Sequence, residues 1–577
     1  MIAVNAATIP GTLRQRAMID PHGKAYTFLG GSDSGDQSLT WLQLDQRAAA
    51  LAVRLKDRGA SGQPVLLALK SGLDFIEALF ACWYAGAMAV PVSLPRHQRL
   101  QKRLNGIIVD SGVRLAVGTP VTQGQVVGSN PEVRLDWIFA ETDVPAAVPP
   151  DLDFDGAQVA LLQYTSGSTG APRGVVVTHA NLSHNSRAIA EACSLGQGDV
   201  IAGWLPLFHD MGLIGLVLQA VAAGVHCILM SPDRFLMRPW SWLQMISDYR
   251  ACGSPAPNFA YDLCVERVSP EHKARIDLSC WRTALTGSEP VRAATLQRFA
   301  AAFEGCGFRR QAFFPCYGLA EATLLVSAPG TAGNIVRRLA DCSAVPEGSG
   351  SGGYVGCGKP VQGVTVQVVD PQSRTPVATG TVGEIWVGGT GVTSGYWKNP
   401  QATSSIFAAV LEGSLPEGTS RAGWLRTGDL GFQDDSGEIF ITGRLREMII
   451  IAGRNHFPVD IEGAVASAHE SIAQSAVVAF SVDVDAVERL IIAAEIRRPG
   501  IGAGTDGTGF DVRAVCQSIR LAVNSDCEVA PFDVVLLRPG AVPRTTSGKL
   551  MRLATRDAYL NGTLECLEVD PVTAGRS

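Results

Sequence analysis

A chain of 577 residues, 46% hydrophobic and 18% charged, is too long for one hydrophobic core and has the composition of an ordinary globular protein of two or more domains. Its formal charge of −6 gives no broad electrostatic reason to expect nucleic acid or an anionic membrane surface as a partner. Thirteen cysteines, with no CxxC pair and no zinc-ligand spacing, follow a start that lacks a secretory pattern. They read as buried thiols of a cytoplasmic protein.

In chain order, "LTWLQLDQRAAALAVRLKDRGA" predicts an amphipathic helix ending at Gly59, "QPVLLALK" a strand, "LDFIEALFACWYAGA" a helix and "MAVPVSL" a strand. This βα alternation from about 40 to 330 predicts layered α/β architecture with largely parallel sheets. The apolar stretches 78–92 and 213–230 are interrupted, the first by Gly86 and Pro91, the second by Gln219, Gly224 and His226. Each is expected to be a helix turning into a buried strand, with no transmembrane segment. "VPEGSGSGGYVGCGKP" is a loop or junction. After it, "VTVQVVD", "VGEIWVGG" and "GEIFITG" predict a more antiparallel, β-rich subdomain over about 355–443. A boundary is expected near Arg446, dividing an N-terminal domain, 1–445, from a small α+β domain, 446–577.

Between two predicted strands lies "TSGSTGAPRG". It offers the hydroxyls of Thr165, Ser166, Ser168 and Thr169, the unhindered backbone of Gly167, Gly170 and Gly174, and the cation of Arg173. Such a loop suits phosphate; the alternative reading is a hairpin with no ligand. A Walker loop would end in Gly-Lys-Ser/Thr and enter a helix, whereas this one runs into the β-branched "GVVVT". A P-loop nucleotidase is disfavoured.

Further motifs follow in order: "FHDMGLIG", "TGSEP", "YGLAEAT", "WLRTGDLG", "GRLREMIIIAGRNHFPVDIE" and "PRTTSGKL". The set resembles the adenylate-forming superfamily of acyl-CoA synthetases, peptide-synthetase adenylation domains and luciferases. Through "YGLAEATLLVS" and "GRNHFPVDIE" it is most similar to the fatty acyl-AMP ligases. The resemblance covers almost the whole chain. It implies ATP and Mg²⁺ as cofactors and a medium- or long-chain fatty acid as substrate. It also implies transfer of the acyl group to the phosphopantetheine thiol of an acyl carrier protein of a polyketide or peptide synthase. No carrier domain is visible after Lys549, so that carrier is expected to be a separate chain.

Such chemistry must neutralise two anionic reactants and hold them in line. By the resemblance, the loop at 165–174 cradles the departing phosphates and Glu321 helps to hold Mg²⁺, a hard cation suited to oxygen ligands. Asp429 accepts from the ribose hydroxyls, as an acceptor-only carboxylate can, and Arg444 gives a second ribose contact. Tyr317 and Gly318, with Gly287, Ser288 and Glu289, flank the adenine. His209 lies near the substrate carboxylate, and Lys549 swings in on the small domain to meet the α-phosphate, with Arg446 at the hinge. The apolar run after His209 could line an acyl tunnel.

Two positions depart from much of the superfamily. Ala320 stands where many members have threonine, which fits the acyl-AMP ligase branch, and Ile450 stands where CoA-using relatives often have lysine. Residues around Thr331–Gly353 are the candidate for the insertion that restrains the C-terminal domain in that branch. An ordinary acyl-CoA synthetase and a catalytically silent nucleotide-binding scaffold are the alternative readings.

Overall fold

The computed structural model describes residues 8–30, 35–95, 98–129, 134–140, 155–165, 172–330, 354–415, 418–451, 454–484, 487–497, 511–545 and 548–569. Two sheets dominate the first 330 residues. One has the strand order Phe313–Pro315, Thr283–Thr286, Gly253–Ala256, Val200–Gly203, His226–Leu229, Lys24–Phe28 and Gln37–Thr40. All its pairings are parallel except the last. The other runs Asp136–Phe139, Leu115–Gly118, Pro64–Leu67, Met88–Pro91, Val159–Thr165 and Arg173–Thr178, parallel until its final antiparallel pair. The layered α/β expectation holds.

Parallel strands need crossovers, and the helices supply them. Trp41–Asp57 and Leu73–Tyr84 pack against each other and belong to a core that draws residues from both sheets, including Tyr26, Val65, Leu79, Trp83, Leu161 and Ile201. The first begins with a capping box, Thr40 and Gln43 each bonding the other's backbone. A cap of this kind contributes about 1 kcal/mol. On the outer face of the larger sheet Trp204, Phe235, Trp242, Tyr261, Trp281 and Phe299 form a second, aromatic core.

Both long apolar stretches are core. Helix Leu73–Tyr84 turns at Gly86 into Met88–Pro91. The second stretch forms two π-helical turns, Leu213–Val217 and Ala220–Gly224, before strand His226–Leu229. Gln219, buried among them, donates to the Ile214 carbonyl at 3.0 Å. Among the described residues no helix is long and apolar enough to cross a membrane.

The third sheet is antiparallel, as the short Gly- and Asp-bounded strands predict. Val364–Val369 pairs with Gly383–Gly389, which pairs with Ala422–Gln433, flanked by Ala409–Val410 and Ile439–Arg444. Beyond it, Ile472–Val484, Val487–Ile496, Asp533–Leu537 and Cys566–Val569 form a four-stranded sheet. Helices Pro458–Ala468 and Val512–Cys527 pack on it to make a core drawn wholly from residues 449–536.

Candidate active site

In open α/β sheets ligands gather beyond the carboxyl ends of the strands. Thr165 ends one strand here, and Gly287–Glu289, Tyr317 and Phe208–Met211 follow three others. They line a cavity of about 1750 Å³ together with Arg173, Gly318, Glu321, Asp429, Arg444 and Lys549. A single small ligand typically occupies about 300–1,000 Å³, so this volume leaves room for two substrates side by side. Ser166, Gly167, Ser168, Thr169 and Gly170 lie outside the described residues, as does the expected insertion around 331–353.

Asp429 and Arg444 are cross-strand partners on Ala422–Gln433 and Ile439–Arg444. Arg444 Nε donates to Asp429 Oδ1 at 2.9 Å, and the Tyr317 hydroxyl donates to Oδ2 at 2.8 Å. Burial, reinforced by the Asp429 charge, pushes the Tyr317 hydroxyl pKa well up, so it stays a donor. Tyr317 is therefore anchored at its hydroxyl end. Buried Glu384 fixes the preceding turn: it pairs with Arg426 at 2.8 Å and accepts from the Gly428 N–H at 3.1 Å. Nothing in the motif "WLRTGDLG" points to that residue, because it comes from the neighbouring strand.

Glu321 sits on a single 3₁₀ turn, Ala320–Ala322. Its carbonyl accepts both the N–H and the hydroxyl of Thr393 at 3.0 Å, and its Oε1 accepts the Tyr396 hydroxyl at 2.8 Å. Burial raises its carboxyl above the usual carboxylate range. The turn ends at Thr323, a fully buried β-branched residue at φ +67°. There the Leu324 N–H closes a γ-turn on the Ala322 carbonyl at 2.8 Å, and the Thr323 hydroxyl bonds the Gly391 carbonyl at 2.8 Å. This rare backbone geometry is held by its surroundings and sits two residues from the carboxylate it aims. Gly318 is required nearby, since any side chain would overlap the Leu324 carbonyl. The Arg173 guanidinium lies 5.5 Å from the centre of the Tyr396 ring, so the loop cation and the Glu321 carboxylate share one tyrosine.

On the opposite wall, His209 Nδ1 is 2.7 Å from Asp210 Oδ1. Glu289 accepts the Asn258 N–H at 3.0 Å, and Ser288 takes φ +72° with its hydroxyl against the Met211 sulfur. Of the run after His209, Met211 and Gly215 reach the cavity, while Leu213, Ile214 and Leu216–Leu218 are core.

Lys549 enters from the C-terminal sheet's side. The helix that follows begins only at Arg552, and Lys549 closes a tight turn before it. The Thr545 N–H donates to its carbonyl at 2.8 Å, and its own N–H donates to the Thr545 hydroxyl at 3.0 Å. Gly548, at φ +86°, lies so close to the Phe259 ring that a side chain there would collide with it. Burial lowers the Lys549 pKa, opposed by Asp210, Glu289 and Asp429 and assisted by Arg444. Arg292, bonded to the Gln474 carbonyl at 3.4 Å, and Tyr354, bonded to Asp460 at 3.0 Å, link residues before 446 to residues after it. Ile450 is nearly half exposed, between buried Ile449 and half-buried Ile451, so "MIII" is not a fully buried strand.

The family model described as "AMP-binding enzyme" matches residues 13–397, about two thirds of the chain. The chain belongs to the AMP-binding enzyme family. This AMP-binding enzyme is 38% identical to the medium-chain-fatty-acid–[acyl-carrier-protein] ligase JamA of Moorena producens, over 97% of its own length and 96% of that protein's. It is 36% identical to the long-chain-fatty-acid–AMP ligase FadD26 of Mycobacterium tuberculosis, with 98% and 99% covered. Among solved structures, the fatty acyl-adenylate ligase of Legionella pneumophila in complex with acyl adenylate and pyrophosphate matches with a TM-score of 0.70 and 33% identity, 98% of each chain being covered. The resemblance drawn from the motifs is thus to the right family.

Proposed function

We propose that the protein is a cytoplasmic fatty acid–AMP ligase. It joins ATP and a medium- or long-chain fatty acid into acyl-adenylate and pyrophosphate, then delivers the acyl group to the phosphopantetheine thiol of a separate acyl carrier protein. The carrying observation is that Lys549 shares one cavity with His209, Glu289, Asp429 and Arg444, although about two thirds of the chain separates it from the phosphate loop. The names of JamA and FadD26 support both the acid and the acceptor.

In this reading a carboxylate oxygen attacks the α-phosphorus, a new P–O bond forms, and the bond to the β-phosphate bridging oxygen breaks. Asp429 and Arg444 bind the ribose beside the Tyr317 ring, and Arg173 with Thr165 faces the leaving pyrophosphate. Lys549 and His209 neutralise charge where the bond exchange occurs. Residues 446–577 form the mobile domain that brings Lys549 in, turning near Arg446.

Among the described residues no group of three or more His, Cys, Asp or Glu could hold a metal ion. A lone half-buried carboxylate such as Glu321 fits Mg²⁺ that arrives with the nucleotide, because this ion is commonly bound by one or two carboxylates plus phosphate oxygens. Glu321→Gln should raise the Mg²⁺ concentration needed for half-maximal rate about tenfold or more. A Mg²⁺ titration of pyrophosphate release reads it, and an unchanged titration curve removes Glu321 from the metal site.

The function itself is tested with a panel of acids of increasing chain length. Pyrophosphate release is followed first, and CoA or a phosphopantetheinylated carrier protein is then offered. Acyl transfer to the carrier, with acyl-AMP persisting in the presence of CoA, is the expected result. Efficient acyl-CoA release would instead make the protein an acyl-CoA synthetase, and no acid-dependent pyrophosphate release would leave a nucleotide-binding scaffold.

A further inference from the structure

Asp210, next to His209 in the cavity wall, is a carboxylate that the motif reading does not single out. Its Oδ1 lies 2.7 Å from His209 Nδ1 and accepts the Met211 N–H at 2.7 Å. Among the described residues no hydrogen bond reaches its Oδ2. Its side chain is only 16% exposed, and it lines the same cavity as Lys549. Burial alone would raise its pKa, but the charge and hydrogen bond of His209 and the charge of Lys549 hold it at about 2. The Met211 N–H also reaches His209 Nδ1, at 3.4 Å, so Nδ1 is occupied by this pair of neighbours. Nε2 is then the ring atom left for the reactants.

We propose that Asp210 is a positioning residue for adenylate formation, holding His209 through Nδ1 and offering its second oxygen as the counter-charge that receives Lys549. The inference rests on the proposed ligase function. A buried ammonium needs compensation on arrival, or it loses its proton or stays out. The charged groups around Lys549 are Asp210, Glu289 and Asp429 on the favourable side and Arg444 on the unfavourable one. Of these, Asp429 is already engaged by Arg444 and Tyr317, and one oxygen of Glu289 by the Asn258 N–H. Asp210 also bonds His209, so the two groups assigned to the reacting centre share it.

The test is Asp210→Asn, which keeps shape and removes charge, with single-turnover acyl-AMP formation as the readout. The expected loss is about tenfold or more in rate, with nucleotide binding retained. In a His209→Ala, Lys549→Ala background the same change should cost less than about twofold, because it acts through those residues. Loss of the carboxylate should also lower the Lys549 pKa further, moving the high-pH limb of the rate profile to lower pH. Should the asparagine variant fold poorly, Asp210→Ser keeps a short oxygen for the Met211 N–H without charge and should behave alike. An active Asp210→Asn with an unmoved limb overturns the inference and leaves the ligase reading intact, as does a full multiplicative loss in the double-variant background. No acyl-AMP from the wild-type protein would overturn the ligase reading and this inference with it.

Discussion

Lys549→Ala should lower acyl-adenylate formation about 10²–10³-fold, the usual cost of removing one donor aimed at developing charge. The cause lies in placement. Lys549 is carried on a turn closed by two bonds to Thr545 and seated against Phe259, in a cavity whose acidic groups attract it. Ribose and base contacts of the proposed site belong to other residues, so ATP binding should survive within a few-fold. Rapid-quench measurement of acyl-AMP, beside equilibrium nucleotide binding, separates the two. Normal turnover by the alanine variant would show that the lysine takes no part in the chemistry.

Arg552→Ala is expected to destabilise the C-terminal portion by about 3–5 kcal/mol, the range for breaking a buried ion pair from one side. Glu462 is 1% exposed, and Arg552 grips both its oxygens at 2.7 Å while also reaching Glu447 at 2.7 Å. With the guanidinium gone, the buried carboxylate keeps, among the described residues, the Ala479 N–H at 3.1 Å and a distant Arg292 at 3.8 Å. It must then take up a proton or draw in water. Denaturant unfolding, with proteolysis to follow the 446–577 region by itself, reads the change. Arg552 stands three residues beyond Lys549, so the variant should also lose adenylation through a loosened turn. A variant with wild-type unfolding would mean that the pair contributes nothing net.

The architecture was largely legible because its signals are local. Strand and helix periods and glycine stops can each be read within a dozen or so residues, and the antiparallel pair Val159–Thr165 with Arg173–Thr178 spans only about 20. Motif residues were legible for a different reason: each motif carries its own chemical type. What escaped were partners brought in from elsewhere in the fold. Tyr396 reaches Glu321 from 75 residues away, and Glu384 fixes the Asp429 turn from the adjoining strand. Thr323 gave no hint of its positive φ, since threonine ordinarily avoids it. Asp210 lay inside a quoted motif but was hidden beside the more familiar histidine.

Arg444 is the last residue of its strand, and the chain leaves it through the short turn Leu445–Glu447 toward the C-terminal sheet. The same arginine holds Asp429. If the C-terminal part rotates near Arg446 as proposed, its axle is built into the wall of the proposed sugar site. A bound nucleotide then stiffens the bearing on which the moving part turns, and an empty site loosens it. Loading and rotation would be geared together by a single cross-strand pair.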